Sequence, residues 1–392
     1  MQFPSGLVWY KKPEYRDIRE YATAVGTGKR SISPDGRNKS AIPSRLSLER
    51  VLENKTCSPM SLYDFYMYLK HIEYSPENLE FYTWFKNYEA RYAERESASI
   101  RDAASSVTET RPPSSDGSES SLDPEMAKET LAQIEHLIGT AAVCTTSCKS
   151  SLTTRLKSLA VSRSPSPVSR PTDADLRAEI ATVTSLFLTP SSPKELNIPA
   201  PMRAAALDAV AASSSPEHLR PVADHVYALL RNCSHRNFVR LGVSNGTYET
   251  VCVATGLGIA LTLAGFLYVL LRALRGPHSR FEAFGAWPMW WLGATLVMSG
   301  LRGSCFFLLL FTRRQPLPWE RLDDAASVAS RESGVFQRLK RLMIFDRKVK
   351  VKDDNLRQLQ HRIVAQSMVG GAVFASVWVL VFIFLPVWKG SL

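Results

Sequence analysis

Residues 251–271 read VCVATGLGIALTLAGFLYVLL, twenty-one positions without a charged side chain. At about 1.5 Å per residue, a helix of that length is roughly 31 Å long and matches the hydrocarbon core of a bilayer. Two more apolar runs follow. Trp287–Phe311 is broken only by Arg302, and Met368–Val387 holds Trp378, with Trp388 just beyond its end. A soluble core does not need three such stretches, so the sequence predicts three transmembrane helices, at 251–271, 287–311 and 368–387. Met1–Tyr10 (MQFPSGLVWY) lacks the basic start and long apolar run of a cleaved signal. The first span then serves as the insertion signal.

The whole chain has 392 residues and a formal net charge of +11. That length allows two or three units at about 100–200 residues per domain. The charge is uneven: residues 251–392 hold 18 Lys/Arg against 8 Asp/Glu, whereas residues 1–250 hold 30 against 29. A basic excess beside apolar runs points to a membrane surface rather than to nucleic acid. The loop Thr312–Arg362 carries 13 Lys/Arg, while Arg272–Ala286 carries three, Arg272, Arg275 and Arg280. The positive-inside rule places the basic loop in the cytoplasm. Three spans put residues 1–250 on that same side and Lys389–Leu392 outside, with the plasma membrane as the expected site. Four sequons, at Asn38, Asn54, Asn232 and Asn245, should then stay unglycosylated. Cys57, Cys144, Cys148 and Cys233 should be reduced thiols. Cys252 reads as an inert apolar cysteine or a palmitoylation site.

Residues 312–363 form the basic cytosolic loop. Val335, Phe336, Leu339, Leu342 and Met343 recur at helical spacing, with Arg338, Lys340, Arg341, Arg347, Lys348, Lys350 and Lys352 around them. Two readings stand: an amphipathic helix lying on an anionic leaflet, or a solvated connector whose charges only set topology. Arg302 sits near the cytosolic end of the second span, where its head snorkels to the interface or meets a partner in the bundle.

The region before the first span is all-α in pattern. Residues 1–44 are an N-terminal extension without a firm reading. In 45–92, Ser47 precedes a helix at Leu48, and Ser61-Leu-Tyr-Asp reads as a capping box. Leu62, Phe65, Tyr66 and Leu69 share a helical face. Ser75 then reads as an N-cap with Pro76 at the first helical position, and Leu79, Tyr82, Phe85 and Tyr88 form the next buried stripe. Residues 93–172 are rich in Ser and Pro (RPPSSDGSESS, RSPSPVSRP) and read as a mostly disordered insert, with a lone helix at Pro124–Ile138. Ser164 and Ser166 each precede proline and are candidate phosphosites, the alternative being a passive linker. In 173–248, Leu176, Ile180, Val183 and Phe187 make an amphipathic stripe. Leu219, Val222, Ala223, Val226 and Leu230 make another. Residues 45–91 show no glycine-rich phosphate loop and no paired metal ligands, and the Cys144/Cys148 pair has no matching second pair, so no cofactor and no metal are expected.

These blocks resemble a regulator of G-protein signalling (RGS) domain. The carriers are Phe65, Tyr68 and Leu69, EYSPENLEFYTW at Glu73–Trp84, Leu176–Leu188, and Lys194-Glu-Leu-Asn-Ile-Pro. The helix ending YALLRNCS and the block HRNFVRL at His235–Leu241 complete the series. Together they cover about 100 residues of the chain. With three C-terminal spans, the chain is similar to membrane-anchored RGS proteins of fungi, a group related to bud-site-selection factors. The implied fold is a split RGS-like helical bundle with a disordered insert, followed by three transmembrane helices.

The resemblance implies that the domain supplies no catalytic residue of its own. It grips the switch segments of a Gα subunit in their transition-state arrangement and so speeds GTP hydrolysis. Glu77, Asn78, Leu229 and Ser234 fall on contact positions, and Asn197 falls where an asparagine abuts the water-orienting glutamine of Gα. Two positions depart from the pattern: Cys233 stands where an aspartate is usual, and Asn237 where its supporting arginine is usual. A thiol is a weaker acceptor than a carboxylate. A second expectation is therefore a non-catalytic membrane scaffold for cell polarity, whose spans hold a membrane partner protein. A channel or transporter is disfavoured by the single ionisable residue in the spans.

Overall fold

The computed structural model describes residues 14–29, 42–105, 124–145, 173–275, 280–317, 320 and 348–385. A helical domain is followed by a helical bundle. The domain holds α1 (Ile18–Gly26), α2 (Leu48–Leu52), α3 (Leu62–Tyr68), α4 (Glu77–Ser105) and α5 (Pro124–Thr145). After these come α6 (Asp173–Phe187), α7 (Ala200–Ala212), α8 (Arg220–Leu229) and α9 (His235–Val243).

The capping box at α3 is present: Ser61 Oγ accepts the Asp64 amide at 3.1 Å, and Asp64 Oδ2 accepts the Ser61 amide at 3.4 Å. α4 starts differently from the sequence reading. Its first amides, Leu79 and Glu80, donate to the Pro76 carbonyl, while Ser75 Oγ is buried without a partner. The chain enters α4 through Tyr74 in the left-handed region, φ 52°. Leu79, Phe81, Trp84, Phe85 and Tyr88 are all buried, so α4 buries more than one stripe.

The stretch read as a mostly disordered insert contributes to this core. α4 runs on to Ser105, and α5 places Ile134 and Ile138 in the same apolar cluster as Phe65, Phe81 and Ile180. Tyr66 donates from its hydroxyl to Glu135 on α5 at 3.1 Å and to Glu80 on α4 at 3.2 Å. The anticipated lone helix is therefore docked. Ser164 and Ser166 lie outside the described residues.

The second half closes over the first. Leu176, Ile180, Val183 and Phe187 are buried along α6. Trp84 Nε1 donates to Glu179 at 2.8 Å, and Tyr88 donates to the Ser214 carbonyl at 2.6 Å. α8 and α9 form one helical path joined by a π-turn at Leu230–Ser234.

The bundle comprises α10 (Tyr248–Leu274), α11 (Trp287–Leu301), α12 (Phe306–Leu310) and α13 (Asp354–Phe384). α10 and α13 are long and apolar enough to cross a membrane. They leave Leu257, Leu263, Leu267 and Leu274, and Val369, Val373, Val377 and Phe384, exposed. The middle run is not one helix as the sequence predicted. α11 has 15 residues, roughly 22 Å at 1.5 Å per residue. It ends in a turn where Gly303 takes φ 68° and Ser299 Oγ donates to the Ser304 carbonyl at 3.0 Å. A glycine free to take positive φ stops the helix there. α11 packs between α10 and α13. A Cβ at Gly293 would lie 2.8 Å from the Gly258 carbonyl oxygen, and one at Gly371 would lie 2.7 Å from the Trp291 carbonyl oxygen. Such small residues let the three backbones approach closely.

Domain and bundle are pinned together. The Asn245 side chain brackets Cys305, accepting its amide at 3.1 Å and donating to its carbonyl at 3.3 Å. The Thr247 amide donates to Gln315 Oε1 at 2.6 Å. A short ribbon pairs β1 (Arg313–Arg314) with β2 (Val349–Lys350). Arg314 is buried and clamps Glu320 through two bonds of 2.6 Å. Asp353 caps α13 through the Leu356 amide at 2.8 Å and accepts the Cys57 amide at 3.0 Å. Cys57 is disulfide-bonded rather than reduced. Asn232 and Asn245 are buried, so neither side chain has room for a glycan in this fold.

Candidate functional site

Three segments meet along one edge of the helical domain. The first is the turn from Glu73 to Asn78 at the start of α4. The second is the loop Thr189–Pro199 between α6 and α7, and the third is the π-turn joining α8 to α9. Lys194 in the loop pairs with Glu80 in the first turn of α4 at 2.5 Å. The Asn197 backbone lies against the His225 ring of α8. Glu73 Oε1 accepts from Tyr68 at 2.7 Å and from Asn237 Nδ2 of α9 at 3.1 Å. These ties explain how residues more than 160 positions apart come to one edge.

The edge holds buried acceptors that lack partners. Glu73 Oε2, Ser75 Oγ and Asn78 Oδ1 have no hydrogen bond among the described residues. A buried polar atom left unpaired costs about 1–3 kcal/mol, so three in six residues mark this turn as unfinished within the chain. Tyr74, at its centre, is 80% exposed while holding a left-handed backbone. Strain of that kind concentrates at functional positions. The sequence reading passed over Glu73 and Tyr74 as site residues; no local pattern distinguishes them from an ordinary turn.

The five positions assigned by resemblance fare differently. Asn197 is exposed and Glu77 is half-buried. Burial, with the neighbouring Glu80 charge, pushes the Glu77 carboxyl up to about 7 against a backbone hydrogen bond and Lys194. Asn78, Leu229 and Ser234 are buried. Leu229 and Cys233 lie beneath α1, packed with Tyr21 and Ala22 and flanked by Ile18 and Val25. Burial, then Glu73, pushes the Cys233 thiol up to about 12. Asn237 is occupied as well: its Oδ1 accepts the Arg16 amide at 3.1 Å, and its Nδ2 donates to the Arg16 carbonyl at 2.9 Å. Sequence reasoning gave residues 1–44 no reading and so missed α1, although Ile18, Tyr21, Ala22 and Val25 recur there at helical spacing and pack on one side.

The candidate membrane-surface residues Arg338, Lys340, Arg341 and Arg347 lie outside the described residues. Lys348 is described and exposed at the start of β2. Lys350 and Lys352 follow it at two-residue spacing, also exposed, and Arg313 stands opposite Lys350 in register. Like charges directly opposed on a ribbon repel, so this corner of the bundle attracts anions. Among the described residues, no group of three or more His, Cys, Asp or Glu is placed to hold a metal. Protein-family models, curated proteins and solved structures yield no match to this chain.

Proposed function

We propose that the chain is a membrane-anchored RGS-type regulator that binds a Gα subunit through the Glu73–Asn78 edge and accelerates its GTP hydrolysis. The observation that carries the reading is the convergence on one edge of Glu77, Asn78, Asn197 and the Leu229–Ser234 turn, beside the three unpaired buried acceptors. A domain that stabilises another protein's transition state needs rigid, pre-placed polar groups rather than a reacting side chain. Asn197 meets that requirement, because it is exposed at the tip of a loop held at both ends, by Lys194–Glu80 and by α8.

The bundle supplies the address. α10 and α13 cross the bilayer, and α11 with α12 returns the chain between them, giving three passes. The helical domain and the basic segment lie on the cytosolic side, and residues 389–392 lie outside. The docking of Asp353, Gln315 and Arg314 on the helical domain supports this, because both must then occupy the same side. The juxtamembrane cations Arg313, Lys348, Lys350 and Lys352 face anionic lipid of the inner plasma-membrane leaflet, and Arg338, Lys340, Arg341 and Arg347 add positive charge to the same stretch of sequence. The disulfide at Cys57 runs against the usual reduced state of cytosolic thiols, so sidedness merits direct measurement by protease protection.

A second reading is favoured by one observation. Cys233 and Asn237 replace a carboxylate and a guanidinium and are spent on internal contacts. A non-catalytic scaffold that holds a membrane partner fits that. Single-turnover GTP hydrolysis by Gα subunits, with the full chain in lipid nanodiscs, decides between the two. Acceleration that is lost in Asn197→Ala is the expected result. No acceleration of any Gα by a folded chain refutes the regulator and leaves the scaffold.

A further inference from the structure

Three features of the molecule invite a further reading. A groove of about 450 Å³ between α6 and α7 is lined by Ile180, Leu207 and Val210, but nothing indicates what fills it. The cationic ribbon at Arg313 and Lys350 belongs to the membrane-surface reading already given. The third is α1, which lies on the very edge assigned to the partner.

We infer that α1 is a cover in cis: the segment Arg16–Gly26 occupies the Gα-docking edge, and binding requires its release. The inference rests on the regulator reading above. Four independent contacts place the segment there. The Arg16 backbone clasps the Asn237 side chain with both its amide and its carbonyl. Tyr21 accepts from Asn232 Nδ2 at 2.9 Å through its hydroxyl. Tyr21 and Ala22 seal Leu229 and Cys233, which are 1% and 0% exposed. At the far end, a Cβ at Gly26 would lie 3.8 Å from Pro199 Cβ, two residues from Asn197. The cover thus runs from the π-turn to the Asn197 loop.

Its attachment is slight compared with what it hides. α1 has nine residues, starts at the Asp17 cap and ends at an exposed turn. It contributes to a small apolar cluster separate from the main core, which contains Phe65, Phe81 and Phe238. Removing it therefore leaves that core unchanged. The edge left behind gains Leu229, Cys233 and Asn237 as accessible groups, next to the unpaired Glu73, Ser75 and Asn78 atoms. A cover of this kind lowers apparent affinity by the fraction of molecules that are open.

The Gly26–Pro199 approach provides the test, since a Cβ–Cβ distance near 3.8 Å suits a disulfide. The full chain carrying Gly26→Cys and Pro199→Cys is reconstituted in nanodiscs, and the 26–199 linkage is scored by mass spectrometry. Capture of Gα loaded with GDP and aluminium fluoride is then compared between oxidised and reduced forms. Each is normalised to the unsubstituted chain treated identically. The expected result is at least tenfold weaker capture when the linkage is closed, with Tyr21→Glu capturing more than the unsubstituted chain. Equal capture by locked and unlocked forms overturns the cover and leaves the regulator reading in place. Failure of the linkage to form also overturns it, because the two positions then do not meet. Capture by neither form nor by Tyr21→Glu overturns the regulator reading, and the cover falls with it.

Discussion

Truncating Ile134 tests the claim that α5 belongs to the core rather than to a passive insert. Ile134 is 1% exposed and sits in the cluster formed by α3, α4 and α6. Ile134→Ala removes three carbons, worth about 2.4 kcal/mol of lost transfer energy at about 0.8 kcal/mol per buried methylene. A partly collapsed cavity adds to that, giving about 3 kcal/mol in all. For a domain of this size each kcal/mol moves the midpoint by about 2–4 °C, so the expected drop is roughly 6–12 °C. Thermal unfolding of the full chain in detergent, followed by near-ultraviolet circular dichroism, reads the transition through the Phe65, Tyr68 and Phe238 rings, which pack 5.0–6.5 Å apart. Gln133→Ala, one position away on the exposed face, should move the midpoint by less than 2 °C at about ±0.5 kcal/mol. If Ile134→Ala also stays within that range, α5 is not docked and the split-core account fails.

Three more outcomes follow from named contacts. Lys194→Met strands the buried Glu80 carboxylate with only Tyr66 as donor and should cost about 3 kcal/mol, read by urea unfolding; Glu80→Gln in the same background should recover part of it. The Glu77 carboxyl, raised to about 7, binds its proton more tightly in the folded state. Stability should therefore fall as pH rises from about 4.5 to about 7 and level off outside that window; in Glu77→Gln that slope should be gone from the midpoint-against-pH curve. Asp353→Ala removes the cap of α13 together with the acceptor of the Cys57 amide. A loss of about 1–2 kcal/mol should show as faster hydrogen exchange at Leu356 and Cys57 and nowhere in α10.

What could be read from the sequence follows from how local each signal is. The stripe Leu176, Ile180, Val183 and Phe187 has helical period and is buried as expected, and the Ser61–Asp64 capping box closes within four residues. α4 outran its expected end at 92 because Ala, Glu and Arg after that point favour helix by intrinsic propensity. The middle apolar run gave no local sign of breaking. Gly300, Gly303 and Ser304 are ordinary in a span, and only the Ser299–Ser304 turn shows the stop. At the candidate edge, Glu77 is placed by the local start of α4, whereas the Asn197 loop is held by the Lys194–Glu80 pair, 114 positions apart, and by His225 of α8. Glu73 joins the site through Asn237, 164 positions away, and Arg16 through the same residue, 221 positions away. No window of sequence contains both ends of such a contact.

The junction between domain and bundle bears on how an anchored regulator would act. Only Ser244–Thr247 separates α9 from α10, and the segment is held throughout. The Ser244 amide donates to the Arg240 carbonyl, the Asn245 side chain brackets Cys305, and the Thr247 amide reaches Gln315. A flexible tether would raise the local concentration of the domain near a membrane-bound partner but leave its orientation free. Here α9 runs from Asn237 at the candidate edge to Val243 at the bundle, so the edge lies at the end of the helix away from the bundle. The Asp353–Cys57 and Arg314–Ser58 contacts hold the domain from a second direction. Two separated sets of pins resist rotation, which one set would allow. The bundle thus fixes the angle of the edge relative to itself, and under the proposed function that would present a partner's switch segments in one geometry, as positioning-based acceleration requires. A single span suffices for tethering; a short helix returning between two longer ones gives the domain the second surface it is seated on.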